Sequence, residues 1–511
     1  MNQFPSPMKN NNGGDKFPYP WVWICTTILL CLFFAFAPVS GIFAQSRDSF
    51  VRGQSAEVQS SQRYTSMIQN VFDFIQRNYI DEVDPKVLFE GAMNGMFNAL
   101  EDPYSNFLAE SDMTDLNDTT QGSFGGVGLY ITKPIAARND AKPPYVEVAS
   151  PIEDTPGWRA GINPGDLIIE IDGEATDKLT MDEVLARLRG KPGLDVRLLI
   201  RRAEKLEFTI TLTRAVIEVP NTKYEMIGDI GYLRLITFTP MTADRARGAI
   251  NDFRSKNYTS LILDLRNNYG GLLNSAVDIC SLFFDGGVVV STKSRIPSEN
   301  HVFYARKSPV VSSDIPVIVL INRGSASASE IVAGALKDRN RAYLVGEKTF
   351  GKGSVQQVYP LDNVGFKITT ARYFTPSDVN IDKIGIPPDR EVSYPDFTDA
   401  DVEKLAALIK DNKIPDFVAG NEKASAAQVD AFARSLEKEY QLDFTLLKRL
   451  IRNEQNRTII APVYDLEYDV QLQEAVKILK EGNFQTLMQT SKTLKALQEE
   501  TLQDEEFALA S

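Results

Sequence analysis

The sequence predicts a multidomain α/β protein, with a mixed α/β core, an inserted β-rich domain, and helical N-terminal and C-terminal regions. Three observations predict it. The chain has 511 residues, which at roughly 150 residues per domain suggests about three domains. The runs Leu261-Ile262-Leu263-Asp264-Leu265 and Val317-Ile318-Val319-Leu320-Ile321 read as strands buried on both faces, the mark of a sheet covered by helices. Between 120 and 214, short apolar runs are punctuated by glycine, which is the texture of a small β-rich domain.

Composition sets the outer bounds. With 43% apolar, 10% aromatic and 24% charged residues, the chain can bury sizeable cores. It has one histidine, His301, and three cysteines, two of which, Cys25 and Cys31, share one apolar run, leaving Cys280 for the rest. A zinc cluster needs three or four Cys or His ligands, so metal clusters, disulfide frameworks and thiol redox pairs are set aside, and neither metal nor cofactor is expected. A net charge of −13 repels phosphate backbones, which makes nucleic acid an unsuitable partner.

In chain order, 1–19 is a polar tail. Residues 20–44 form an apolar segment inside a charge-free stretch from Phe17 to Ser46, suited to a transmembrane anchor or a secretory signal. Cleavage after Ala44 would place Ile42 where a small residue is preferred, which favours a retained anchor. Either way the bulk of the chain is expected on the exported side, periplasmic or facing the cell envelope, held at the inner membrane by one helix. Residues 45–119 divide into a polar linker to about Ser61 and a helical region. There Met67, Val71, Phe74 and Ile75 recur at helical spacing, and Pro85 suits a first helical position.

Residues 120–214 hold strands around Val146–Val148, 167–171, 196–200 and 208–212. One helix from Thr180 to Arg189 has Thr180 and Glu183 as a capping box. Residues 215–395 form the α/β core, where each doubly buried strand leads into a Gly/Asn turn and then a helix, so polar loops gather at strand ends, where binding sites favour α/β sheets. Residues 396–511 are helical and charged. Phe432, Leu436, Tyr440, Leu446, Leu447 and Leu450 lie at helical spacing, and such faces can pack on the core or pair with a second copy in a homo-oligomer; the sequence does not choose.

Three loops hold the candidate chemistry. Asn322-Arg323-Gly324-Ser325-Ala326-Ser327-Ala328-Ser329-Glu330-Ile331 joins a buried strand to a helix, and its small residues let a substrate backbone approach. A serine on such a turn suits a nucleophile, although serines there more often simply cap the helix. Gly346-Glu347-Lys348-Thr349-Phe350-Gly351-Lys352-Gly353-Ser354-Val355-Gln356 sets a lysine between glycines. A lysine can serve serine as a base when burial lowers its pKa, whereas most loop lysines are simply solvated. Asp264-Leu265-Arg266-Asn267-Asn268-Tyr269-Gly270-Gly271-Leu272 follows the other buried strand, and its paired glycines can present amides to an oxyanion or merely end a strand.

Together these loops, with Thr369 to Asp382 (TTARYFTPSDVNID), the following GIPPDREV and the upstream LEDPYSNFL, resemble the C-terminal processing peptidases, or tail-specific proteases, over about 60–395. The resemblance implies a serine endopeptidase with a Ser-Lys dyad and an inserted PDZ domain that gates the site. Carried over by position, the nucleophile falls on Ser327, the general base on Lys352 and the supporting glutamine on Gln356, placed to orient the lysine amine. The oxyanion donors fall on the Ala328 amide and that of Gly270 or Gly271. Ser325 and Ser329 remain rival nucleophiles that only the family register sets aside.

Gly126, Val127, Gly128 and Leu129 resemble a PDZ carboxylate-binding loop, which implies protein substrates with unstructured C-terminal tails. Arg189 falls where some relatives have an arginine linking that domain to the active site. Tyr269 and Asp378 stand where the family often has a small residue and a glycine. Two other readings compete: a non-catalytic PDZ scaffold or tail-binding chaperone, and a Ser-His hydrolase using His301.

Overall fold

The computed structural model describes residues 48–133, 145–152, 154–202, 206–307, 309–393, 398–421, 424–455 and 462–510. The apolar segment 20–44 lies outside these. Among the described residues no helix is long and apolar enough to cross a membrane. The chain divides into two units, residues 1–91 and 92–511.

In the first unit, a helix runs over Asp48–Asn78, so it starts within the stretch expected as a polar linker. Nucleating a helix costs more than extending it, and the apolar stripe from Met67 onward lets the polar turns before it propagate. Pro85 opens the next helix, Pro85–Asn98, at the position where its missing N–H costs nothing.

The centre of the second unit is a six-stranded sheet in the order Thr222–Ile227, Ile230–Leu235, Ser260–Asp264, Val317–Ile321, Tyr343–Gly346, Arg390–Glu391. The first pair is antiparallel and the rest are parallel. Every residue of the strands Ser260–Asp264 and Val317–Ile321 is buried. Their side chains alternate between two cores: Leu261, Leu263, Val317, Val319 and Ile321 pack with the helices Thr242–Ser255, Leu273–Cys280 and Ala328–Asp338. Ile262, Ile318 and Leu320 face Leu472, Ala475 and Val476 of the helix Val470–Lys480. Period-two alternation with both faces apolar therefore means helices on both sides.

The C-terminal region plays two parts. Phe432, Leu436, Tyr440, Leu446, Leu447 and Leu450 close a separate helical cluster with Leu408, Ile414 and Ile451, whereas Val470–Lys480 covers the sheet. An ion network pins that covering helix. Arg266, at the end of its strand, donates to Asp264 (2.6 and 3.0 Å), to Asp469 (2.6 and 2.7 Å) and to Gln471 (3.1 Å). Burial opposes both charges, yet Arg266 holds the Asp264 carboxyl below the carboxylate range and the two aspartates raise the guanidinium. Arg266→Met should destabilise this region by about 3–5 kcal/mol, because it strands buried carboxylates. The loss should appear as faster hydrogen exchange in Val470–Lys480.

The β-rich insert is a sheet in the order Leu129–Thr132, Val146–Pro151, Leu167–Ile171, Asp195–Arg202, Leu206–Thr213. It enters and leaves through an antiparallel stem, Ser123–Gly126 against Ala215–Glu218. Its helix Met181–Leu188 starts at the expected box: the Thr180 amide donates to Glu183 Oε2 at 2.7 Å and the Thr180 hydroxyl accepts from the Glu183 amide at 3.3 Å. A second antiparallel sheet carries Val364–Phe374, flanked by Ser354–Leu361, Asn106–Leu108 and Val288–Ser294. Asp378 adopts φ +64°, the left-handed region in which a glycine is at ease and aspartate is tolerated.

Candidate active site

The ends of the neighbouring parallel strands Ser260–Asp264, Val317–Ile321 and Tyr343–Gly346 bring the three candidate loops together. Ser327 is the residue before the helix Ala328–Asp338 and is buried. Its backbone sits at φ +56°, ψ −113°, a strained conformation for a residue with a side chain, of the kind that aims a nucleophile out of a strand-to-helix turn.

Its neighbours are committed elsewhere. The Ser325 hydroxyl donates to the Leu265 carbonyl at 2.9 Å, and the Ser329 hydroxyl donates to the Asn268 carbonyl at 2.7 Å. Both serines thus staple the serine turn to the glycine loop. The Tyr373 phenol is near Ser327; burial pushes it up to about 12, and the Ser327 side chain draws it back.

Glu330 organises the backbone of the site, and sequence reasoning missed it. Its carboxylate is buried. One oxygen accepts from the Ser327 amide (2.9 Å) and the Lys352 amide (2.8 Å), the other from the Thr349 hydroxyl (2.6 Å) and the Gly351 amide (2.7 Å). Burial raises its pKa against these four hydrogen bonds. The readable signal was Ser-x-x-Glu, a capping-box spacing, within an otherwise small and apolar helix start.

Lys352 is thereby fixed at its backbone beside Ser327. Burial, and then the Lys367 charge, lower its amine below the ordinary lysine value, while Glu330 and Asp102 pull it back up. Among the described residues no hydrogen-bond acceptor meets Nζ, the Ser327 hydroxyl included; the amine lies over the Tyr104 ring, 4.9 Å from its centroid. Gln356 is not brought to that amine. Its Nε2 donates to Ser354 Oγ (2.9 Å) and Thr369 Oγ1 (3.2 Å).

The glycine loop presses against the serine. A Cβ on Gly270, at φ +106°, would fall 2.8 Å from Ser327 Cβ and 3.0 Å from the Ala328 nitrogen. The Gly270 amide donates to Asn268 Oδ1 at 2.9 Å, whereas among the described residues no acceptor meets the amides of Gly271 or Ala328. The Ala328 amide opens its helix, where a free N–H and the helix dipole favour negative charge. Tyr269 stands at the rim, 77% exposed.

His301 lies apart, exposed on the strand His301–Tyr304 and paired with Thr292. Burial pushes the Cys280 thiol far up. Among the described residues no cluster of His, Cys, Asp or Glu could hold a metal ion.

In the insert, a cavity of about 420 Å³ lies between the strand Leu129–Thr132 and the helix Met181–Leu188. Its lining includes Val127, Gly128, Leu129, Ile131 and Leu185, with Arg189 at one end. That strand is the last of its sheet, so its outer edge faces the cavity unpaired among the described residues. Gly126 belongs to the stem, paired with Ala215. Arg189 lies over the Phe124 ring, 5.0 Å from its centroid, and 3.8 Å from Asp118.

Three family models match parts of the chain. The model of peptidase family S41 matches residues 229–392, that of the PDZ domain 147–202, and that of the activating protease CtpB N-terminal domain 33–112. The carboxy-terminal-processing protease of Bartonella bacilliformis is 39% identical over 366 residues, 70% of this chain and 82% of its own. The chloroplastic carboxyl-terminal-processing peptidase 2 of Arabidopsis thaliana is 38% identical over 333 residues, 63% of each chain. A solved photosystem II D1 C-terminal processing protease is 31% identical, covering 64% of this chain and 92% of its own with a TM-score of 0.39. The chain belongs to the carboxy-terminal-processing proteases, serine-type peptidases of family S41 that carry a PDZ domain.

Proposed function

We propose that the protein is an exported endopeptidase that cleaves proteins near their C-termini, with Ser327 as nucleophile and Lys352 as general base. The observation that carries this reading is the contrast among three serines. Ser325 and Ser329 spend their hydroxyl protons on the glycine loop, while the Ser327 side chain faces the Tyr373 phenol and its backbone, at φ +56°, is tied through Glu330 to Lys352. A buried, lowered lysine is the base such a serine needs. Catalytic hydrogen bonds are often unmade before substrate arrives, so an amine that has not yet met Ser327 is compatible with the role.

As Ser327 attacks the scissile carbonyl, Lys352 takes its proton, and the amides of Ala328 and Gly271 suit the oxyanion. The occupied Gly270 amide favours Gly271 as the second donor. Gln356 acts at one remove, through Thr369. The groove beside Leu129–Thr132 suits a C-terminal tail added as a further strand, its apolar side chains filling the cavity. Tail binding there gates the site, with Arg189 at the groove end. The apolar segment 20–44 holds the enzyme at the membrane.

Casein digestion by purified variants tests the reading. Ser327→Ala and Lys352→Ala should be silent, and His301→Gln should match wild type; full activity in either of the first two overturns it. Gly270→Ala should lower kcat on the order of 10²-fold, since a displacement near 1 Å at the reacting centre costs that much, while the circular dichroism spectrum stays unchanged.

A further inference from the structure

The segment just before the insert forms a strap over the lysine. Its strand Asn106–Leu108 pairs with Lys367, Phe366 and Gly365, and the Ser105 hydroxyl accepts from the Thr369 amide at 2.9 Å. Phe107 and Leu108 are buried, so the strap is anchored. Immediately upstream, Asp102 accepts from the Tyr104 amide (3.0 Å) and the Ser105 hydroxyl (2.6 Å). That turn sets the Tyr104 ring face beneath Lys352 Nζ.

We propose that Tyr104 and Asp102 are positioning residues for Lys352: the ring face holds the side chain and the carboxylate on the same turn attracts the ammonium through space, keeping the amine at the strap until it releases its proton to solvent and substrate draws the neutral base to Ser327. The proposal rests on Lys352 being the base. An aromatic face attracts a cation, most strongly where water is excluded. Asp102 acts through its charge, from the turn that carries Tyr104. Burial would raise its carboxyl, but the Ser105 and Thr369 hydroxyls, the Tyr104 amide and the Lys352 charge keep it low, and so ionised. Burial first, then the charges of Asp382, Asp102 and Glu330, raise the Tyr104 phenol, so the ring stays neutral. Thr369 also receives Gln356 Nε2, so the glutamine and the strap meet at one residue.

Around Lys352 the charged groups are Lys367 from the strand Val364–Phe374, Glu330 from the serine helix, and Asp102 from the strap, with Asp382 acting on Tyr104. Of these only Lys367 disfavours the ammonium. Removing a group that favours it must therefore lower the lysine pKa and move the acid limb of kcat/KM to lower pH.

Tyr104→Leu keeps the bulk and removes the ring face, and Asp102→Asn keeps the shape and removes the charge. Each should shift the acid limb down by about half to one pH unit, with Tyr104→Phe restoring the wild-type midpoint. The same midpoints should be read without catalysis in the Ser327→Ala background, from acetic anhydride labelling of Lys352 quantified by mass spectrometry across pH. A loss of kcat with both midpoints unmoved, or an upward shift, overturns the proposal; a shift in only one variant overturns the joint clamp and leaves the hold to that residue. Full activity of Lys352→Ala overturns Lys352 as base, while the labelling midpoints still decide whether the clamp exists.

Discussion

The double variant Ser327→Ala/Lys352→Ala should lose no more activity than either single variant, each falling about 10⁴–10⁶-fold in kcat. A serine without its base is a weak nucleophile, and a base without its nucleophile has no proton to take, so the second deletion has nothing left to remove. The structure makes this a clean experiment. The bonds that hold both residues to Glu330 come from their backbone amides, so both survive truncation to alanine. Alanine at 327 also inherits the φ of +56° with a side chain no larger than serine's.

Stability should move the other way for the lysine. Its folded pKa lies below the unfolded one because of burial, so holding the ammonium is a cost at neutral pH, fading as pH rises through the folded pKa. Lys352→Ala should thus melt no lower than wild type near neutrality, and a double variant that loses further activity would mean that one of the pair acts independently of the other.

The fold was legible where one explanation fits a run of residues. Five consecutive apolar positions at 317–321 can be satisfied only by burial on both faces, and the side chains do alternate between two cores. The serine and lysine loops stood out only in combination and through the family resemblance, because small residues at a strand end also suit a helix cap and a loop lysine is usually solvated. What apolar spacing cannot state is the partner. Leu436 and Leu447 advertise a buried face equally well for a local bundle, the sheet or a second chain, and they close a local bundle.

Gln356 illustrates a second limit. Its spacing from Lys352 permits a direct contact, but the irregular register between Val355 and Gln356 directs the amide to Ser354 and Thr369. The strap escaped notice for a similar reason: Tyr104 is some two hundred and fifty residues from Lys352 in sequence, and only the pairing of Asn106–Leu108 with the strand Val364–Phe374 brings it back.

Glu330→Gln should abolish most activity although its side chain has no role in the chemistry. Both carboxylate oxygens are used twice, each as an acceptor only. A glutamine has one acceptor end and one donor end. If its oxygen serves Thr349 and Gly351, its NH₂ confronts the amides of Ser327 and Lys352; if it is flipped, it confronts the other pair. The first orientation leaves two buried amides unpaired beside a third donor; in the second the Thr349 hydroxyl can turn to accept, leaving the Gly351 amide unpaired, at about 1–3 kcal/mol for each unpaired group.

The first orientation separates the very backbones that set nucleophile and base side by side, so kcat should fall on the order of 10²-fold or more. The second frees the Gly351 amide and makes the Thr349 hydroxyl turn, while that hydroxyl can still accept from the Ile386 amide (2.7 Å). A merely destabilised enzyme would regain its rate on cooling or with osmolyte; one with a displaced dyad would not. Among the described residues Glu330 is the only carboxylate bonded to both amides, and Glu330→Asp, shorter by one methylene, should recover one pair of bonds at most and only part of the rate.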